Sequence, residues 1–166
     1  MAVLSNILRA VTSASLMGGI AIAGAATAAA DPIDILDQYL SKGYNADLCP
    51  AQTPDGGALA VVECGDNPDN VGPTSARFAL YANNQDLTNA FNAAIAPLAQ
   101  TMCGETKSPT VWRPSNTSDT AGKVACGAVG GQSQVIWTST TKDVLSILRG
   151  PDSNTGALYQ WWLTKG

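Results

Sequence analysis

The sequence predicts an α+β domain in which a duplicated β-β-α unit forms a small, mostly antiparallel sheet of four or five strands, with helices on one face and two disulfides. Three observations lead to this prediction. The stretch "VVECG" at 61–65 returns as "KVACG" at 123–127. Each copy is followed by a strand-like run and then by a pattern typical of a capped helix. Each copy also has one cysteine upstream of the repeat.

Residues 1–30 have the composition of a secretory signal peptide. One positive charge in "MAVLSNILR" precedes an uncharged, small-residue apolar stretch that ends in "AAA" before Asp31. Cleavage after Ala30 is expected to leave residues 31–166 as a single secreted α+β domain, long enough to bury a modest core. A transmembrane anchor is the alternative, and the short, Ala/Gly-rich apolar segment disfavours it.

The charge of the expected mature domain argues against two classes of partner. Residues 31–166 hold all 13 acidic residues and eight of the nine basic residues, so their formal net charge is −5. No basic run or basic-aromatic stripe is present, which argues against nucleic acid and anionic membrane as partners. No second apolar run is long enough to span a bilayer, so no membrane span is expected after signal cleavage.

The helices and strands of the first half follow from caps and alternation. "DPIDILDQYL" predicts a helix with Asp31 as N-cap and Pro32 in the first turn. The runs "ALAVVEC" and "ARFALY" predict two strands. A helix follows, with Asn83 as N-cap and Asp86 three residues later, and Pro97 is expected to end or kink it.

The second half is predicted by aligning Asp86 with Asp143. This alignment predicts a short helix capped by Thr140 and stopped by "GP" at 150–151. A last helix in "DSNTGALYQWWLTKG" is expected to begin at Asp152 or Ser153. The same alignment places Phe78 on Val135 and Leu80 on Trp137.

The four cysteines are expected to form disulfides rather than a metal site. An even count in an exported chain favours two bridges, and no C-x-x-C or histidine is present to suggest zinc ligands. Four cysteines allow three connectivities. Because each copy carries its own pair, the repeat favours Cys49–Cys64 and Cys103–Cys126.

The chain resembles a group of small exported mycobacterial proteins, and also the module that some mycobacterial Ser/Thr kinase-type receptors carry outside the membrane. The matching stretches are "CP" at 49–50, "VVECGDNPDNVGPTSARFALY" with "DLTNAF", "VACG" with "VIW", and the terminal "WW". The resemblance implies an extracytoplasmic domain of the cell envelope, of largely undefined function. The Gly-rich loop, H-R-D and D-F-G motifs of a kinase are not in the sequence.

Catalytic signatures are weak in this sequence. Without histidine, Ser-His-Asp and Cys-His arrangements are excluded. "STTK" offers Ser139 and Lys142 as a Ser-Lys pair, but its companion motifs are missing and a helix cap explains it better. Asp66 and Asp69 in "GDNPDN" could act as paired carboxylates, but this composition is typical of a turn.

A non-catalytic binding or sensory-type module is therefore the function that the sequence favours, with no cofactor and no metal. The partner is expected to be an unknown envelope component or protein. Trp112 and Arg113 are the candidate ligand contacts, since an aromatic face beside a guanidinium suits a sugar or an anionic group, and they lie in the polar link between the copies. A mobile loop is the alternative for this link. A small secreted hydrolase of envelope material, carboxylate-dependent or Ser-Lys, is the alternative function.

Overall fold

An eight-stranded antiparallel sheet with helices on both faces organises the computed structural model, which describes residues 30–114 and 117–166. The predicted signal peptide, residues 1–30, lies outside the described residues except for Ala30. The helices are α1 (Pro32–Leu36), continued by a 3-10 turn (Asp37–Tyr39), α2 (Asn84–Ile95) and α3 (Thr155–Lys165). The strands are β1 (Ala51–Gln52), β2 (Ala60–Cys64), β3 (Ser75–Leu80), β4 (Ala99–Gln100), β5 (Met102–Cys103), β6 (Thr106–Lys107), β7 (Thr110–Trp112), β8 (Gly122–Val129), β9 (Gln132–Ser139) and β10 (Val144–Arg149).

The last strand in the chain, β10, lies in the middle of the sheet. The strand order is β1-β2-β3-β10-β9-β8-β4, β7 pairs with β8, and β5 and β6 form a separate hairpin. β10 pairs antiparallel with β3 on one side and with β9 on the other. The predicted α+β class and mostly antiparallel sheet are confirmed, although the sheet has more strands than the four or five expected.

The repeated "V-x-C-G" marks two hairpins rather than two β-β-α units. In the first, Val62 of β2 lies opposite Phe78 of β3, and in the second, Val124 of β8 lies opposite Trp137 of β9. All four side chains are buried in one core cluster, so the hairpins present the same face. Phe78 is therefore the equivalent of Trp137, and the predicted match of Trp137 with Leu80 is two residues out of register.

The helix predicted after Thr140 is wrong. Residues 140–143 form a turn in which Asp143 has a φ of 52°, and the following residues pair as β10. Four of the five residues 144–148 are aliphatic, a spacing that fits a short helix and also a strand buried on both faces. Pairing with two neighbours at once decides for the strand, because an isolated helix of one or two turns is marginal.

The prediction that all helices lie on one face is also wrong. The adjacent residues Val61 and Val62 point to opposite faces and are both fully buried. α2 packs on the face of Val61 through Leu87 and Phe91. α1 and α3 cover the face of Val62 through the buried side chains Leu36, Leu158, Trp161 and Trp162. A sheet with two apolar faces needs a cover on each of them.

Two of the four predicted N-caps are confirmed. The Asp31 carboxylate accepts a hydrogen bond from the Ile33 amide at 2.9 Å, with Pro32 at the start of α1. Asn83 accepts from the amides of Gln85 and Asp86 at the start of α2, which ends before Pro97. For α3 the cap is neither Asp152 nor Ser153. The Asn154 side chain accepts from the Ala157 amide at 3.0 Å.

Both predicted disulfides are confirmed, and no cysteine is free. Cys49 joins Cys64 across a sequence separation of 15, and Cys103 joins Cys126 across a separation of 23. All four cysteines are buried in the core cluster that α1 and α3 cover. The first bridge fixes the chain between α1 and β2, and the second fixes the β5–β6 hairpin to β8.

The loop before β3 is tied to α3 through the Asp69 carboxylate. This group accepts from the Val71 amide at 3.2 Å and from the Trp161 indole N–H at 3.3 Å, and it lies 3.5 Å from the Lys165 ammonium. The Val71 hydrogen bond, followed by the contacts with Trp161 and Lys165, lowers the pKa of Asp69 below its ordinary value and outweighs the opposing effect of burial.

Removal of either disulfide is expected to lower the free energy of unfolding by about 3 kcal/mol, because each closes a loop of similar length. The Cys103→Ala, Cys126→Ala double variant and the Cys49→Ala, Cys64→Ala double variant would be compared with wild type by urea unfolding under oxidising conditions. A loss well below 1 kcal/mol for either pair would contradict the expectation.

Asp69 is expected to make the protein more stable above about pH 4 than below it. Since its folded-state pKa is lowered, its contribution is present above the unfolded pKa and is lost as the pH falls through the folded one. Asp69→Asn should therefore flatten the fall of Tm between about pH 5 and pH 2. Asp66→Asn, in the same exposed turn, changes the net charge equally and should leave that slope close to the wild-type slope. Equal slopes for all three proteins would refute the assignment.

Candidate functional site

Trp112 is held rigidly at the end of β7. Its backbone pairs with Gly122 of β8, and its indole N–H donates to the Thr138 carbonyl of β9 at 2.7 Å. This hydrogen bond fixes the orientation of a side chain that is only half-buried. Trp112 therefore lies on a regular strand, and the alternative of a mobile loop does not hold at this position. Arg113 follows directly and is exposed.

Trp112 belongs to an aromatic cluster centred on Trp162 of α3. The ring centroids of Trp112 and Trp162 are 5.7 Å apart with the planes at 81°, an edge-to-face contact. Trp137 approaches Trp162 at 5.7 Å, and Tyr159 stacks on it at 5.4 Å. Burial raises the pKa of Tyr159. Edge-to-face and offset contacts of this kind favour a fixed arrangement of rings.

Two adjacent cavities open around this cluster, and we call them together the tryptophan groove. They share Trp112, Trp137 and Gly166. The larger cavity has a volume of about 230 Å³ and the smaller one about 170 Å³. The larger is otherwise lined by Arg113, Pro114, Trp162 and Leu163. The smaller is otherwise lined by Gln38, Tyr39, Leu40, Ser139, Lys142, Val144 and Ser146.

Gly166 lies beside a buried hydrogen-bond donor. It lies against the pyrrole edge of Trp162, where any side chain at position 166 would overlap the indole. The Trp162 Nε1–H is buried and has no hydrogen-bond partner among the described residues. A buried donor without a partner is costly.

Each cavity has one basic side chain at its rim. Arg113 donates from Nε to the Ser118 carbonyl at 3.0 Å. The Lys142 ammonium lies 4.4 Å from the centre of the Tyr39 ring, a cation–π contact. Within the described residues neither side chain forms an ion pair, and no acidic side chain lines either cavity. The groove is therefore aromatic and positively charged in a domain that is negative as a whole.

The two predicted ligand contacts, Trp112 and Arg113, are thus neighbours on the wall of one cavity, the larger part of the groove. The groove lies beside the second hairpin, between β7, β9, α3 and the 3-10 turn. Trp137 and Trp162, which were not predicted as ligand contacts, are buried and also line the groove. The contribution of Tyr39 and Lys142 was missed, because nothing local in the sequence indicates that these two residues meet.

Ser139 and Lys142 both line the smaller cavity, although not as residues of a helix start. Ser139 ends β9, and its carbonyl accepts from the Lys142 amide at 3.2 Å to close the turn before β10. The Lys142 ammonium is engaged by the Tyr39 ring. No hydrogen bond between the Ser139 hydroxyl and Lys142 is formed within the described residues.

Of the two carboxylates singled out in the sequence, Asp69 has a structural role. Asp69 is committed to the Val71 amide and to α3, and Asp66 lies exposed in the same turn. Within residues 30–114 and 117–166, no three His, Cys, Asp or Glu side chains are grouped so that they could hold a metal ion. The same residues contain no helix that is long and apolar enough to cross a membrane.

The opposite face of the sheet has a wider cavity of about 380 Å³ beside α2. Its basic residue, Arg77, is paired with Asp55 and with Glu63, and the Glu63 contact measures 2.7 Å. Burial opposes the charged form of Arg77, but the hydrogen bond to Glu63 and the charge of Asp55 outweigh it and raise the pKa of the guanidinium. Arg77 is therefore not a solvated strand residue, and its charge is already neutralised by the protein.

Comparison with models of known protein families, with curated protein sequences and with solved structures finds no match to this chain. The resemblance to exported mycobacterial proteins stays a prediction from sequence. The functional argument accordingly rests on the tryptophan groove.

Proposed function

We propose that this chain is a non-catalytic, secreted binding module that acts at the cell envelope or outside the cell and holds its ligand in the tryptophan groove. The observation that carries the proposal is the pair of cavities around Trp112 and Trp137, in which rigid aromatic side chains alternate with a few polar groups. Small-molecule sites have this composition, with apolar walls for contact area and sparse polar groups for orientation.

The rigidity of the groove supports binding. Trp112 is fixed by its hydrogen bond to β9, and Trp162 is packed between three other aromatic rings. A site that is ordered before the ligand arrives avoids part of the entropic cost of association. Fixed aromatic rings are therefore worth more to affinity than the same rings on a mobile loop.

The location outside the cytoplasm is supported by the covalent structure. Both pairs of cysteines are bridged, and disulfides persist mainly in oxidising compartments. The composition of residues 1–30 fits the same location. An envelope component is the proposed class of ligand because the resemblance to exported mycobacterial proteins implies that setting.

A second candidate function, hydrolysis of envelope material, is favoured by one observation. Ser139 and Lys142 line the same cavity, as a Ser-Lys mechanism would require. The contact of the Lys142 ammonium with the Tyr39 ring favours binding instead, because the lysine is directed at an aromatic face rather than at the hydroxyl it would need to activate.

A ligand screen by thermal shift tests the proposal, using the oxidised protein and soluble fragments of envelope glycans and lipids. A ligand at one hundred times its Kd should stabilise the wild type by about 2.7 kcal/mol. The Trp112→Ala, Arg113→Ala double variant should lose this shift. The matched control is Val111→Ala with Lys123→Ala, since these exposed residues pair across β7 and β8 and line neither cavity.

Near-ultraviolet circular dichroism would confirm that both double variants are folded. An unchanged ligand shift in the folded Trp112→Ala, Arg113→Ala protein would place the site elsewhere. Each ligand would also be followed by NMR after prolonged incubation with the wild type. Consumption that Ser139→Ala abolishes would replace the binding proposal with the hydrolase.

A further inference from the structure

We infer that the ligand of the tryptophan groove is an anionic sugar: one six-membered ring that carries a phosphate or a carboxylate group. The ring packs against Trp112, and the anionic group is held by Arg113. The inference rests on the proposed function, and it adds the chemical class of the ligand.

Charge gives the first argument. The expected mature domain has a formal net charge of −5, yet the only charged side chains that line the groove, within the described residues, are Arg113 and Lys142. Two further cavities differ: one is lined by Asp152, and in the one beside α2 the positive charge is neutralised by Asp55 and Glu63. The side chains that line the groove therefore favour an anion more than those that line these two cavities.

The geometry of Arg113 assigns the anion to the larger cavity. Its Nε is engaged by the Ser118 carbonyl, which orients the guanidinium, while no ion pair within the described residues occupies the group. A planar guanidinium offers parallel donors that match a carboxylate or a phosphate. Lys142 is a point charge that already contacts Tyr39, so its contribution is the smaller of the two.

Cavity size and lining limit the body of the ligand to one ring. Volumes of about 230 and 170 Å³ fall below the range of roughly 300–1,000 Å³ that is usual for drug-sized ligands. The fixed face of Trp112 offers contact area to a ring, and the smaller cavity adds the polar groups of Gln38, Tyr39 and Ser139. These groups can bond ring hydroxyls, which favours a sugar over an aromatic acid.

Titration of the oxidised protein tests this inference, with tryptophan fluorescence and calorimetry as readouts. The soluble probes are glucuronate, glucose 6-phosphate, glucose, inorganic phosphate and benzoate. Vesicles of phosphatidylcholine with or without phosphatidylinositol test a lipid headgroup as the source of the same chemistry. At least one charged sugar should bind at least about tenfold more tightly than glucose, phosphate or benzoate.

The arginine is tested by variants that change the net charge equally. Arg113→Gln should weaken binding of the charged sugar by about tenfold or more, and Lys142→Gln should weaken it less. Lys107→Gln, at an exposed residue that lines none of the described cavities, should leave binding unchanged. Binding only to phosphatidylinositol vesicles, with the same dependence on Arg113, would support the inference and identify the source as a lipid headgroup.

Three results would overturn the inference. The first is binding of glucose, inorganic phosphate or benzoate as tightly as a charged sugar. The second is equal weakening by Arg113→Gln and Lys107→Gln. The third is binding of no anionic probe at all. If a neutral ligand from the thermal-shift screen still required Trp112, the proposed function would stand while the anionic sugar would be excluded.

Discussion

The pairing of β10 on both of its edges is the interaction on which the rest of the fold depends. β10 lies between the β2–β3 and β8–β9 hairpins and pairs with β3 and with β9, so it joins the two hairpins into one sheet. A strand in this position is buried on both faces, as Leu145 and Leu148 show. That burial requires covers on both sides of the sheet, and it thereby determines where α2 and α3 pack.

The groove follows from the same arrangement. α3 follows β10 in the chain and packs on the face of the sheet from which the Trp137 side chain of β9 projects. Trp162 fills the space between α3 and that strand, and β7 brings Trp112 to the edge of the contact. The aromatic cluster is therefore part of the core at Trp162 and part of the surface at Trp112. Packing and ligand contact are provided by one set of rings.

Local signals in the sequence were sufficient for much of the fold. The caps at Asp31 and Asn83 depend on residues within one turn, and the disulfide pairs follow from the repeat. The prediction of a helix at β10 is wrong because its aliphatic spacing fits a helix and a buried strand equally well. Only its pairing with β3 and β9 determines that it is a strand. Trp112 and Arg113 could be singled out by their chemistry. The approach of Lys142 and Tyr39 to the same groove could not be predicted, because they are distant in sequence and meet only through tertiary packing.

The two disulfides lie on one face of the sheet, so the two faces differ in how they are held together. Cys64 of β2 and Cys126 of β8 both point to the face that α1 and α3 cover. Both covalent cross-links are therefore on that side of the sheet. α2 is held to the other face by noncovalent contacts of residues such as Leu87 and Phe91. On the face that α2 covers, local opening is therefore opposed by noncovalent contacts alone. On the face that contains the aromatic cluster, the two disulfides also hold the segments around Cys49 and Cys103 to the sheet.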